Sequence, residues 1–255
     1  MRKTTRMALL LAFAFLAGNS FAQDQGTQVN YAYATYFVCA PDGESRADEI
    51  IRSSYKPHYD AAVKQGVILS WTWMQHYVGG TWRRVLVIIA SDMDSLLDAS
   101  GALGEIISDK TPEAGRAFSA TCSSHDDYIW ETTPGVGSAA VTQQRGAAGF
   151  SVYMACDLNG EERVDELVTK VFAPIYNSHV GEGKLTSWNW LKHNVGGEWR
   201  RALIMGAADH KALMRARAAI LADFEDRKVE RAAKEMNEIC GRHQDYMWDI
   251  FLQTP

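Results

Sequence analysis

The sequence predicts an α+β protein built from two βαββαβ repeats, with antiparallel sheets facing each other and helices on the outside. Three observations carry that expectation. Sliding the chain against itself by 117 residues aligns 36–92 with 153–209, and 24 of those 57 positions are identical. All eight tryptophans pair across the offset (71/188, 73/190, 82/199 and, with one residue inserted, 130/248), as do all four cysteines. Within each copy, short β-branched and aromatic runs alternate with segments whose apolar residues recur every three or four positions.

Taken in order, Tyr31–Ala40 is short and rich in aromatic and β-branched residues, hence a strand. Pro-Asp-Gly-Glu then opens a helix carrying Ile50, Ile51, Tyr55, Tyr59, Ala62 and Val63 at helical spacing and ending at Gly66. Pro57, matched by Pro174, should kink or restart it, because proline has no N–H to donate. Val67–Val78 and Trp82–Ser91 read as strands joined at Gly79-Gly80, a pair able to take the positive φ of a tight hairpin. Asp92 is placed to cap the next helix, which Thr111-Pro112 interrupts in the first copy. In the second copy Leu213, Ile220, Phe224, Val229, Ala232, Met236 and Ile239 predict a nearly continuous helix. "DYIWETT" from Asp127 and "DYMWDIF" from Asp245 close the units as strands. Right-handed crossovers and the local hairpin order each sheet 4-1-3-2, with both helices on one face. The repeats run 31–133 and 149–255, and the small, polar, Gly-rich stretch 134–148 reads as a linker.

Residues 1–22 read as a secretory signal peptide. Arg2, Lys3 and Arg6 precede an apolar run, Met7–Ala17, too short to span a bilayer, and Ser20 and Ala22 suit cleavage between Ala22 and Gln23. The expected mature chain is soluble and periplasmic or extracellular. It keeps 23 basic against 31 acidic side chains, a formal charge of −8. That balance offers no general attraction to nucleic acid or an anionic membrane, and neither is expected as a partner.

Pairing across Gly79-Gly80 sets Val78 opposite Thr81, Tyr77 opposite Trp82 and His76 opposite Arg83. Strand alternation then puts Trp71, Trp73, Tyr77, Trp82, Arg84, Leu86 and Ile88 on one face, and Met74, His76, Arg83, Val85 and Val87 on the other. The aliphatic set suits packing under helices. The indole set is expected to be buried against the opposite repeat, where Arg84 needs a partner: a carboxylate such as Glu131 or Asp249, a water-filled pocket or an anionic ligand. The candidate ligand-binding residues are therefore Trp71, Trp73, His76 and Arg84, with Trp188, Trp190, His193 and Arg201 as counterparts; His125 and His243 are expected near the hairpin ends. No nucleophile elbow, phosphate-binding glycine loop or H-E-x-x-H motif occurs, so catalytic residues are not assigned.

A tandem pair of ferredoxin-like βαββαβ units with face-to-face sheets resembles the dimeric α/β-barrel superfamily in single-chain form, a pseudo-dimer spanning nearly the whole mature chain. The resemblance implies a range of functions: cofactor-independent monooxygenases, haem-binding and haem-degrading enzymes, and small proteins without known activity. In the 4-1-3-2 order the end of strand one meets the start of strand four, which predicts bridges Cys39–Cys122 and Cys156–Cys240 in an exported protein. The competing reading joins each strand-one cysteine to a Cys-x-x-His, Cys122 with His125 and Cys240 with His243, as a zinc site, although no fourth ligand repeats. Three functions stay open. The first is an exported non-enzymatic protein holding a small aromatic or anionic molecule between its sheets, with no cofactor. The second is an oxygenase-like or haem-associated enzyme using His76 or His193. The third is a structural or partner-binding role.

Overall fold

The computed structural model describes residues 29–137 and 146–254; the expected signal peptide, its cleavage site and the middle of the linker lie outside them. Eight strands, β1 (Tyr31–Cys39), β2 (Ser70–Val78), β3 (Arg84–Ala90), β4 (Cys122–Gly137), β5 (Ala148–Ala155), β6 (Ser187–Val195), β7 (Arg201–Ala207) and β8 (Arg242–Gln253), form an antiparallel closed barrel. Their order around it is β1-β3-β2-β8-β5-β7-β6-β4. Each half thus contributes four neighbouring strands, β4-β1-β3-β2 and β8-β5-β7-β6. The sheets do not merely face each other as expected: β2 pairs with β8 and β4 with β6. Closure removes every free edge, which two stacked sheets would leave exposed.

Among the described residues eight α-helices lie outside: α1 (Glu44–Ile50), α2 (Lys56–Lys64), α3 (Met93–Lys110), α4 (Pro112–Thr121), α5 (Glu161–Leu167), α6 (Ala173–Gly181), α7 (His210–Asp223) and α8 (Arg227–Ile239). Pro57 and Pro174 act as their chemistry demands. A π-helical turn at Ile51–Tyr55, and another at Val168–Phe172, precedes the restart at α2 and α6. Asp92 caps α3 by accepting from the Ser95 N–H. The continuous helix expected in the second copy is instead broken: α7 ends at Asp223, and Asp226 caps α8 by accepting from the N–H groups of Lys228 and Val229. Apolar periodicity survives a short break, which is why it concealed this one. Strand β4 also runs to Gly137, past Pro134, where the linker was expected to start.

The Gly-Gly pairs serve close approach as well as turning. Gly79 has φ of 138°, and a Cβ there would sit 2.6 Å from the carbonyl oxygen of Asp245 on β8; Gly196, with φ of 134°, meets Asp127 on β4 in the same way. Each hairpin tip therefore docks on the last strand of the other half, with room only for glycine.

The register across the hairpin is as expected, with Trp71 opposite Ile88, Trp73 opposite Leu86 and Gln75 opposite Arg84. The faces are reversed. Trp71, Trp73, Leu86 and Ile88 belong to the core under the helices of the first half, and Trp188 and Trp190 to that of the second. Met74, Val85 and Val87 turn into the barrel. The cause is polar. The indole N–H of Trp71 donates to Asp60 and that of Trp73 to Asp48, while Trp188 donates to Asn177 and Trp190 to Asp165. All four acceptors lie in the covering helical layer, whereas the interior-facing Trp82 finds its acceptor in Asp126. Trp82 departs from the alternation because residues 79–83 are not strand, and with Trp130, Trp199 and Trp248 it enters the interior. There Tyr36 and Tyr153 cross edge to face, with centroids 5.5 Å apart.

Candidate functional site

The repeated Arg-Arg pair is anchored by the first turn of the helical layer. Arg84, 4% exposed, donates to both oxygens of Asp48 and to Glu44, and Arg83 donates to the other oxygen of Glu44. Arg201 and Arg200 repeat this with Asp165 and Glu161. The partners are thus neither Glu131 nor Asp249, and these guanidiniums require no ligand. Burial alone would raise the Glu44 and Glu161 carboxyls, but the arginine hydrogen bonds and charges outweigh it and hold both below the ordinary value.

His76 and His193 are held too. Arg83 donates to Nδ1 of His76 at 2.8 Å and Arg200 to Nδ1 of His193 at 2.7 Å, leaving the imidazole proton on Nε2. Burial and then the neighbouring arginine push both imidazoles below their ordinary value. A depressed imidazole adds stability that is present above the unfolded value and lost as pH falls through the folded one. Urea midpoints are therefore expected to decline as pH drops below about 6.5, and less steeply for His76→Gln/His193→Gln. Equal slopes for variant and parent would remove these rings as the cause.

The space between the sheets, where the ligand was expected, is a cavity of about 90 Å³, reached by Ala32, Ser151 and Leu191, beside a dense aromatic cluster. That is far below the ~300 Å³ at which small-molecule sites begin. The larger cavities lie on the other side of the sheet, beneath the helices. In the second half a cleft of about 270 Å³, open on one side, lies between Phe150, Met154 and Leu203 on the sheet and Phe172, Ile220 and Phe224 above. In the first half about 260 Å³ lies over the equivalent positions Tyr33, Phe37 and Leu86, below Leu103. Strand β4 brings His125 and Asp127 to the first cavity, and β8 brings His243 and Asp245 to the second. An i, i+2 spacing puts both side chains of each pair on the outer face. His125 Nε2 stands 3.2 Å from Asp127, and His243 Nε2 stands 3.7 Å from Asp245; in both carboxylates Oδ1 is buried without a hydrogen bond. Burial first, then Asp127, raises the Tyr33 phenol. The sequence pattern missed Asp48, Glu44, Asp127, Asp245 and Arg217, although the first four recur at the repeat offset as Asp165, Glu161 and each other. Of the predicted ligand residues, Trp190 alone borders one of these cavities; Trp71, Trp73, His76, Arg84, Trp188, His193 and Arg201 do not.

Bridges join Cys39 to Cys122 and Cys156 to Cys240, so the zinc reading fails for want of free thiolates. Among the described residues no group of three or more His, Cys, Asp or Glu side chains could hold a metal ion, and no helix is long and apolar enough to cross a membrane. A histidine ligates haem iron through a ring nitrogen free toward a cavity. His76 and His193 are occupied by arginine and border neither large cavity, while the nearest carboxylate faces Nε2 of His125 and of His243. Neither His76 nor His193 is placed to ligate a haem iron in these cavities.

No protein-family model matches the chain, and no curated protein sequence does so. Solved structures do. A candidate monooxygenase from Fusobacterium nucleatum superposes with a TM-score of 0.60 at 9% identity, over 89% of this chain and 94% of that one. One from Lactobacillus acidophilus gives 0.60 at 7% identity, over 89% and 96%. An anthrone oxidase-like protein gives 0.57 at 12% identity, over 90% and 94%. At such identities the likeness is one of fold alone: an antiparallel eight-stranded barrel with its helices outside.

Proposed function

We propose that this chain is a duplicated ferredoxin-like unit closed on itself as a single-chain pseudo-dimer, and that it is an oxygenase-like enzyme acting on a planar aromatic molecule. The reaction is placed in the cavity of the second half. The carrying observation is that apolar chamber of about 270 Å³ with the His243–Asp245 pair at its wall. Its volume suits a ligand of two or three fused rings, near the lower limit for small-molecule sites. His243 is the base, and Asp245 steadies the imidazolium once formed; such pairs are loose without substrate and tighten with it. A carbon acid whose carbanion is conjugated to a carbonyl through an aromatic ring fits the role. It gives its proton to His243, and dioxygen takes the electrons, so that anthrone plus O₂ becomes anthraquinone plus water. The fold shared with an anthrone oxidase-like protein motivates that choice of substrate. The two bridges suit export to an oxidising compartment, consistent with a leader at residues 1–22.

The test is oxygen uptake with anthrone, together with calorimetric binding of anthraquinone. His243→Ala is expected to lower turnover on the order of 100-fold with anthraquinone affinity intact. Met205→Trp, which fills the cavity floor, should abolish both. Binding without any turnover would leave a non-enzymatic carrier, and no saturable binding would end the proposal.

A further inference from the structure

The two cavities occupy equivalent positions but are not chemically equal. Where Ser100 lines the first, Arg217 lines the second, and Gly104 is matched by Leu221. Arg217 projects from α7, half-buried, with its guanidinium carbon 5.4 Å from the centroid of Phe150 on the cavity floor, within cation–π range. It has no carboxylate partner among the described residues. The cavity's own carboxylate, Asp245, does not pair with it. The buried arginines of the molecule, Arg84 and Arg201, are each bound by two carboxylates. A guanidinium over an aromatic floor inside a mostly apolar chamber keeps its hydrogen-bond donors free for an oxygen anion, and its planar fork matches a carboxylate.

Building on the assignment of this cavity as the ligand site, we propose that Arg217 makes the second cavity selective for planar aromatic carboxylates. The ring lies against Phe150 and Trp190, and the carboxylate is received by Arg217 at the α7 side of the chamber. Asn237, also in the lining, offers a neutral donor. The first cavity, with Ser100 in place of the cation, lacks this selectivity. One carboxylate is therefore expected per chain.

Calorimetry with 2-naphthoate and its neutral isostere 2-naphthamide on the oxidised full chain tests this. Naphthoate is expected to bind at one site per chain and at least tenfold more tightly than the amide, as charge-assisted hydrogen bonds are the stronger kind. The preference should shrink as salt rises, because a half-buried cation is partly screened. Arg217→Gln should erase the preference, weakening naphthoate binding far more than naphthamide binding. Because Arg217 closes no ion pair, this substitution is expected to fold. Equal affinity of the parent protein for both ligands, or a preference that survives in Arg217→Gln, would overturn the charge selection while leaving the cavity as a site. Failure of both ligands to bind would overturn the cavity reading and this inference with it. Should the variant not be recovered, the salt series on the parent protein decides the same question: a preference that does not shrink with salt overturns the charge selection.

Discussion

Replacing Asp48 with alanine is expected to cost about 3–5 kcal/mol, the range for stripping one partner from a buried ion pair. Four groups converge on that carboxylate. Arg84 reaches it through Nε and Nη2, each at 2.7 Å, Trp73 through its indole nitrogen at 2.8 Å, and Gln75 through its amide at 2.8 Å. Removing it strands a guanidinium that is almost wholly buried, and only Glu44 remains to compensate. Unfolding midpoints for Asp48→Ala should fall by roughly 10 °C at the usual sensitivity of a chain this size. Asp48→Asn keeps the shape and part of the hydrogen bonding, so a smaller loss is expected. A loss below about 1 kcal/mol for Asp48→Ala, the value of a surface pair, would show that water reaches Arg84 freely. The same experiment at Asp165, whose side chain is more exposed than that of Asp48, should cost less.

This cluster also marks the limit of what the primary structure conveyed. Alternation across Gly79-Gly80 correctly grouped Trp71, Trp73, Arg84, Leu86 and Ile88, because pairing register follows from a local turn. Alternation says which residues share a face, not which face looks inward. Bulk and hydrophobicity argued for burying the indoles between the halves, but Trp71, Trp73, Trp188 and Trp190 pack under the helices while Trp82, Trp130, Trp199 and Trp248 fill the interior. A signal was present in the repeats: Glu44 and Asp48 recur as Glu161 and Asp165, one helical turn apart, at the same distance before each Arg-Arg pair. Barrel closure was harder to read. Trp71 is bonded to Thr254, 183 residues away, and no turn chemistry reports a pairing of that separation. The candidate site suffered from a related blind spot. His243 and Asp245 were visible, but each belonged to another pattern, a Cys-x-x-His and a strand start. Their convergence at a cavity depends on where α7 and α8 lie.

Loss of both disulfides is expected to consume most of the stability of the chain. Each bridge spans more than 80 residues, with sequence separations of 83 and 84. In the chain-entropy description a loop of that length contributes roughly 4.5 kcal/mol, and two independent loops approach the whole 5–15 kcal/mol typical of a folded protein. The bridges also have a place in the architecture. Each ties the end of the first strand of a half to the start of its last strand; Cys39, Cys122 and Cys240 are buried and Cys156 is partly so. Cys240 lines the proposed site and leads directly into His243 and Asp245 on β8. Cys156→Ala/Cys240→Ala should therefore lower the urea midpoint and weaken ligand binding in the second cavity. Cys39→Ala/Cys122→Ala should lower the midpoint comparably and leave that binding unaltered. If the fully reduced protein unfolded at the same urea concentration as the oxidised one, the bridges would be incidental to the fold. Comparable weakening of ligand binding by the two pairs would instead indicate that the halves melt as one unit, with the second cavity sensing global rather than local loosening.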